Sequence, residues 1–167
     1  LGTREFELIH TPGHALHHYC VVDRAHELIF SGDTFGISYR DFDVDGREFV
    51  LPTTTPVHFD PEALCHSVDR LMSYQPKAIY LTHYAEVRDL ARLARQMKER
   101  VRAFADLGRR YADAPDRAIK LRKGMYAMLC GWLDEHGFAR DDAKRHYLLD
   151  DDVELNSQGI ENWLDRK

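Results

Sequence analysis

Thr11-Pro12-Gly13-His14, Gly32-Asp33-Thr34-Phe35-Gly36 and Leu81-Thr82-His83-Tyr84 are the strings whose reading decides the fold. Each follows a run with the make-up of a short β-strand: Glu5 to Ile9, Leu28 to Phe30 and Ala78 to Leu81. Each therefore presents one metal-competent side chain, His14, Asp33 or His83, from a strand-end loop, where open α/β sheets carry their ligands. Pro12 and Gly13 stiffen the loop before His14, and the glycines flanking Asp33 let the backbone bend sharply around that carboxylate. Neutral imidazole binds zinc or iron through one nitrogen, and an aspartate can bridge two such ions.

Around these strings the chain reads as α/β. Tyr19 to Val22 and Leu28 to Phe30 form a hairpin, and Ile37 to Pro56 is polar and irregular, a long loop of the kind that often carries function. Asp60-Pro61-Glu62 opens a helix, with Asp as N-cap, Pro at the first helical position and Glu near the positive end. Ala63, Leu64, Val68, Leu71 and Met72 share one face of it. A second helix is expected from about Glu86 to Leu107. Strands feeding loops, with helices crossing between them, indicate a layered α/β fold over residues 1–108. Residues 109–167 read as an all-helical extension, with helices over Asp116–His136, Arg140–Leu149 and Ser157–Asp165 and a stop at Gly137. The stripe of Met125, Met128 and Trp132 reads as core or interface, Trp132 and Trp163 as packing anchors, and Asp150-Asp151-Asp152 as a solvated helix end.

Composition narrows the function classes. The 167 residues are 44% hydrophobic, enough for one real core, and the formal charge of −5 offers no basic field to nucleic acid. No run of 18 apolar residues is present, so no membrane-spanning segment is expected. Leu1 to His10 lacks the pattern of a signal peptide. Cys20, Cys65 and Cys130 are odd in number and far apart, which suits reduced thiols and a cytoplasmic protein.

The ordered set of motifs resembles the C-terminal half of a metallo-β-lactamase-fold metallohydrolase, over about residues 1–104. That family carries T-P-G-H, then G-D-T or G-D-x, then a histidine after a late strand, and all three occur here in order. The resemblance implies the C-terminal half of an αβ/βα sandwich followed by a helical tail. It implies that His14 serves one metal, that Asp33 bridges two and orients the attacking water, and that His83 serves the second metal. Two Zn2+ ions per complete site are implied, with iron or manganese as alternatives. The expected activity is hydrolysis of a small-molecule substrate by a metal-activated water. A non-catalytic scaffold and a di-iron redox protein are the alternative readings.

The family's H-x-H-x-D-H motif does not occur in this sequence. The chain is therefore expected to be a fragment, inactive alone, that pairs with an N-terminal half or forms a homodimer to cover an apolar sheet face. Around the three ligands, His17, His18, Tyr39 and Tyr84 are candidate substrate contacts. His17 and His18 are neighbours in a β-prone stretch, so at most one of them faces the site. The hydroxyls of Thr11, Thr34 and Thr82 are candidates to orient the histidines. His10, His26, His58, His66, His136 and His146 read as surface or internally satisfied residues.

Overall fold

In a computed structural model, which describes residues 2–54, 58–83, 86–139 and 141–166, the chain forms one mixed sheet and four helices. The strands are β1 (Glu7–His10), β2 (Tyr19–Asp23), β3 (Leu28–Gly32), β4 (Ala78–Leu81) and β5 (Glu86–Val87), adjacent in that order. The pairs β1–β2, β2–β3 and β4–β5 are antiparallel, and β3–β4 is parallel. Since β1 and β3 both run against β2, and β4 runs with β3, three strands end on the same edge of the sheet. That edge carries His14, Asp33 and His83.

Alternation assigns each strand two faces. Ile9, Cys20, Val22, Ile29, Ile79 and Val87 point inward and belong to one buried cluster with Leu64, Val68 and Leu71 of α1 (Pro61–Ser73) and Leu93, Met97, Val101 and Phe104 of α2 (Leu90–Tyr111). The opposite face carries a cross-strand row that the register fixes, Leu8–Val21–Phe30–Tyr80. Phe30 and Tyr80 stack at 5.3 Å. Leu8 is 65% exposed, Tyr19 55% and Phe30 40%, so this face is open apolar surface of the kind that marks an interaction site.

Helix α1 begins as its sequence dictates, with Pro61 in its first turn and Asp60 accepting the backbone N–H of Ala63 at 2.9 Å, a cap worth about 1 kcal/mol. The second helix starts later than its periodicity suggests. Glu86 and Val87 pair with β4 as a two-residue strand, and α2 then runs from Leu90 to Tyr111, past residue 108. A unit boundary at 108 therefore falls inside a continuous helix. The tail is α3 (Arg117–His136), ended by Gly137 in the left-handed conformation, and α4 (Asp142–Asp165).

Where two short helices are expected after residue 140, the structure has one long helix. Leu149, Val153, Asn156, Ile160 and Trp163 are buried at three- and four-residue spacing, an unbroken stripe that carries α4 through the acidic run. Asp150-Asp151-Asp152 is therefore mid-helix rather than a solvated end, and Asp152 is buried. Helices α3 and α4 pack on each other and on α2. Trp132 stacks on Phe104 of α2 at 5.7 Å, and Trp163 meets Phe59 edge-on at 6.1 Å. Cys20, Cys65 and Cys130 carry no disulfide.

Candidate metal centre

The shared strand edge gathers the three sequence motifs. The loop after β1 carries His14, and Gly13 takes φ +126° there because its Cα lies against the backbone of Leu64, where a Cβ would come within 2.2 Å of Leu64 N. Ser67 of α1 donates to the carbonyl of Pro12 at 2.6 Å, so this loop is seated on the helix. Asp33 follows directly on β3, and His83 lies two residues beyond β4. The parallel register of those two strands sets the two residues side by side.

The carboxylate of Asp33 lies between the two imidazoles. Nε2 of His14 is 3.5 Å from Oδ2 and Nε2 of His83 is 3.4 Å from Oδ1. Both separations exceed a normal hydrogen bond. Among the described residues, Oδ1 of Asp33 is buried with no hydrogen-bond partner, a state that is costly unless something else satisfies it. Two half-sites, each an imidazole nitrogen and one oxygen of a shared carboxylate, fit a pair of cations with Asp33 as the bridge. Among the described residues, no three His, Cys, Asp or Glu side chains surround a single ion. Each half-site needs further donors.

The far nitrogen of His14 is tied down by Thr53. Nδ1 lies 2.9 Å from the Thr53 hydroxyl and 3.3 Å from its carbonyl oxygen, which can only accept. The proton therefore sits on Nδ1 and the lone pair on Nε2, the atom facing Asp33. His18 is used differently. Its Nε2 accepts the backbone N–H of Asp33 at 3.0 Å, and its Nδ1 lies 2.9 Å from the Thr34 hydroxyl and 3.0 Å from that of Thr11. Burial, with the neighbouring His14 second, holds its pKa below the ordinary histidine value. Both ring nitrogens are engaged within the protein, so His18 braces the Asp33 loop and does not line the cavity.

That cavity, about 270 Å³, opens over the three residues. Its near wall is His14, Asp33, His83, Ile37, Tyr39 and Thr53, and its far wall is Asp151, Asp152, Leu155 and Asn156 of α4. The Tyr39 hydroxyl crosses to Asp152, donating to Oδ2 at 2.8 Å. Burial pushes the Asp152 carboxyl above the usual aspartate range, against the opposing pull of the Tyr39 hydrogen bond. His17 is exposed and outside the lining. Tyr84 lies outside the described residues. A slightly larger hollow of about 320 Å³, between Glu5–Glu7 and Val22–Ala25, carries no imidazole or thiol.

The wall from α4 and the role of Thr53 escape a reading of the sequence. Thr53 is in the irregular stretch and 39 residues from His14, with no motif around it. Of the threonines expected to orient histidines, Thr11 and Thr34 serve His18 rather than His14.

Comparison with known proteins agrees with this architecture. The family model described as the Metallo-beta-lactamase superfamily matches residues 1–83, the stretch that ends at His83. A curated relative, the metallo-beta-lactamase fold-containing protein ST1585 of Sulfurisphaera tokodaii, is 34% identical over 83 residues, which is 50% of this chain and 28% of that protein. Among solved structures, the metallo-beta-lactamase family protein TTHA1429 from Thermus thermophilus superposes with a TM-score of 0.58 at 17% identity, covering 99% of this chain and 46% of that one. The crystal structure of ST1585 from Sulfolobus tokodaii superposes with a TM-score of 0.52 at 22% identity, covering 95% of this chain and 46% of that one. The chain thus spans less than half the length of the relatives it matches. Through residues 1–83, with the fold and the ordered strand-end residues described above, the chain belongs to the metallo-beta-lactamase superfamily.

Proposed function

We propose that the chain is part of a metal-dependent hydrolase acting on a small molecule, with His14, Asp33 and His83 as three of its metal ligands. The observation that supports this most directly is the Asp33 carboxylate, flanked by Nε2 of His14 and Nε2 of His83 at the floor of a cavity. In this reading His14, Asp33 and His83 would hold the ions, with the Asp33 carboxylate shared between the two histidines. Ions held by these residues would supply Lewis-acid chemistry, the acidification of a water and the polarisation of a scissile carbonyl or phosphoryl group. The chain's own residues do the rest. Asp33 orients the nucleophile, His18 and Thr53 fix the ligands, and Ile37, Tyr39 and Leu155 enclose the substrate and exclude solvent. No Lys or Arg lines the cavity among the described residues, which favours a small substrate over a polyanion.

The remaining donors come, in this reading, from the part of the fold that the longer relatives carry, seated on the open face of Leu8, Val21, Phe30 and Tyr80. No described helix is long and apolar enough to cross a membrane. The donor set suits iron as well as zinc, so a redox role is the second reading.

The test is to supply that other half, load the complex with Zn2+, Mn2+ or Fe2+ in turn, and assay thioesters, lactones, β-lactams and phosphodiesters. Hydrolysis that needs metal and falls at least about 1000-fold in Asp33→Ala is the expected result. A metal-loaded complex that hydrolyses none of these and consumes oxygen with iron bound would replace hydrolysis with the redox reading.

A further inference from the structure

The Thr53 hydroxyl touches both metal-site loops at once. It donates to the backbone carbonyl of Asp33 at 3.2 Å and lies 2.9 Å from Nδ1 of His14. A hydroxyl has one proton, and with that proton directed at the Asp33 carbonyl the contact to His14 must be donated by the ring. One oxygen thereby fixes the tautomer of His14 and the backbone next to Asp33.

What fixes Thr53 is the helical tail. Its neighbours on both sides are held by Asn156 of α4, a buried residue more than a hundred positions away. Oδ1 of Asn156 accepts the backbone N–H of Thr54, the Asn156 carbonyl accepts the Thr54 hydroxyl at 2.8 Å, and Nδ2 donates to the carbonyl of Pro52 at 3.3 Å. One turn on, a Cβ on Gly159 would lie 1.3 Å from the carbonyl oxygen of Thr54, so helix and loop meet backbone to backbone. This is a tight clamp on a three-residue segment whose middle member has no regular secondary structure of its own.

We propose that Asn156 is a positioning residue for the metal centre. By clamping Pro52 and Thr54 it presents the Thr53 hydroxyl to His14 and Asp33, so the helical tail sets the affinity of the site for its metal. This rests on the metal-centre reading above. The bland alternative is that Asn156 only satisfies nearby backbone groups and supports the fold, and the two are separable by a double-mutant cycle.

The measurement is Zn2+ affinity of the chain paired with the half of the fold that the longer relatives carry, by competition with a chromophoric chelator, with folding checked by circular dichroism. Thr53→Val is expected to weaken Zn2+ binding tenfold to a hundredfold, as loss of a group that orients a ligand does, and Thr53→Ser to restore it to within about twofold. Asn156→Ala should weaken binding at least about fivefold in the parent chain and less than about twofold in Thr53→Val, because its effect passes through that hydroxyl. Should Asn156→Ala not fold, Asn156→Asp, which keeps the acceptor for Thr54 and loses the donor to Pro52, takes its place in the same cycle. Equal losses in both backgrounds, or none, overturn the proposal while leaving the metal centre standing. A parent complex that takes up no Zn2+ sensitive to Asp33→Ala overturns the metal reading and this proposal together.

Discussion

Nε2 of His18 accepts the backbone N–H of Asp33 at 3.0 Å, and the ring reaches it only because residue 32 is glycine. A Cβ on Gly32 would lie 2.5 Å from that same nitrogen, and the residue sits at φ +52°. The Gly-Asp pair of the second motif therefore has a physical reading: the glycine makes room for a histidine that holds the aspartate's backbone. His18→Ala should lower unfolding stability by about 1–3 kcal/mol, the cost of leaving the Asp33 N–H without its acceptor, while the Thr11 and Thr34 hydroxyls keep each other and Cys20 as partners. Gly32→Ala should cost a similar amount, but markedly less in a His18→Ala background, where the clash is gone. Thermal or urea unfolding of the four proteins checks this, and simple additivity would contradict it.

The open sheet face makes a prediction about association. Leu8, Val21, Phe30 and Tyr80 form an apolar cross-strand row on the face turned away from the buried cluster, with Leu8 and Phe30 exposed among the described residues. The chain alone should self-associate and bind a hydrophobic dye, and Leu8→Ser combined with Phe30→Ser should reduce both while leaving the inner core intact. Sedimentation velocity on the two proteins reads this. A parent chain that is monomeric and dye-silent would show that the face needs no cover.

Stability should depend on pH through His136. The ring is buried against Phe49 at 5.4 Å, and its Nε2 has no hydrogen-bond partner among the described residues. Burial first, then the cations Arg47, Arg92 and Arg100, hold its pKa below 6.5. The unfolded chain then binds the proton more readily than the folded one. The stability from the neutral ring is present above about pH 6.5 and is lost as pH falls through the lower folded value, with a slope of at most about 1.4 kcal/mol per pH unit. His18, shifted in the same direction by burial, adds to that loss. His136→Phe should flatten the acid limb of a stability-versus-pH curve without abolishing it, and an unchanged limb would exclude this origin.

The tail should prove inseparable from the site. Gly159→Ala places a methyl group into the carbonyl of Thr54, so α4 must move away from the loop. A loss of about 1–3 kcal/mol is expected, as for other overpacked contacts, and hydrogen exchange should quicken at the Thr54 amide as well as in α4. Exchange that changes in α4 alone would mean the loop is held by something else.

The parts of this molecule that the sequence discloses are those whose cause is local. Thr-Pro-Gly-His, Gly-Asp-Thr and Thr-His each announce a strand end and a candidate ligand within four residues, and Asp60-Pro61-Glu62 announces α1 through capping chemistry confined to one turn. The β5 strand is hidden because two residues, Glu86 and Val87, carry no periodicity of their own and pair only because β4 is there. Helix α4 is read as two because three consecutive aspartates look like a solvated end. The hydrogen-bond partner that lets Asp152 be buried, the Tyr39 hydroxyl, comes from 113 residues away. Thr53 is hidden for the same reason: its importance lies in three loops meeting, which no window of sequence contains.

The most direct test of the metal centre is a Zn2+ titration of the chain paired with its other half, followed by the imidazole ring signals of this chain's histidines in NMR spectra. Coordination by the strand-edge residues predicts that His14 and His83 shift together, ahead of His17 and His26, which lie outside the cavity, and that Asp33→Ala weakens the response of both at least tenfold. If His17 and His26 respond first, or if the rings of His14 and His83 respond equally well without the Asp33 carboxylate, these residues do not form a metal site.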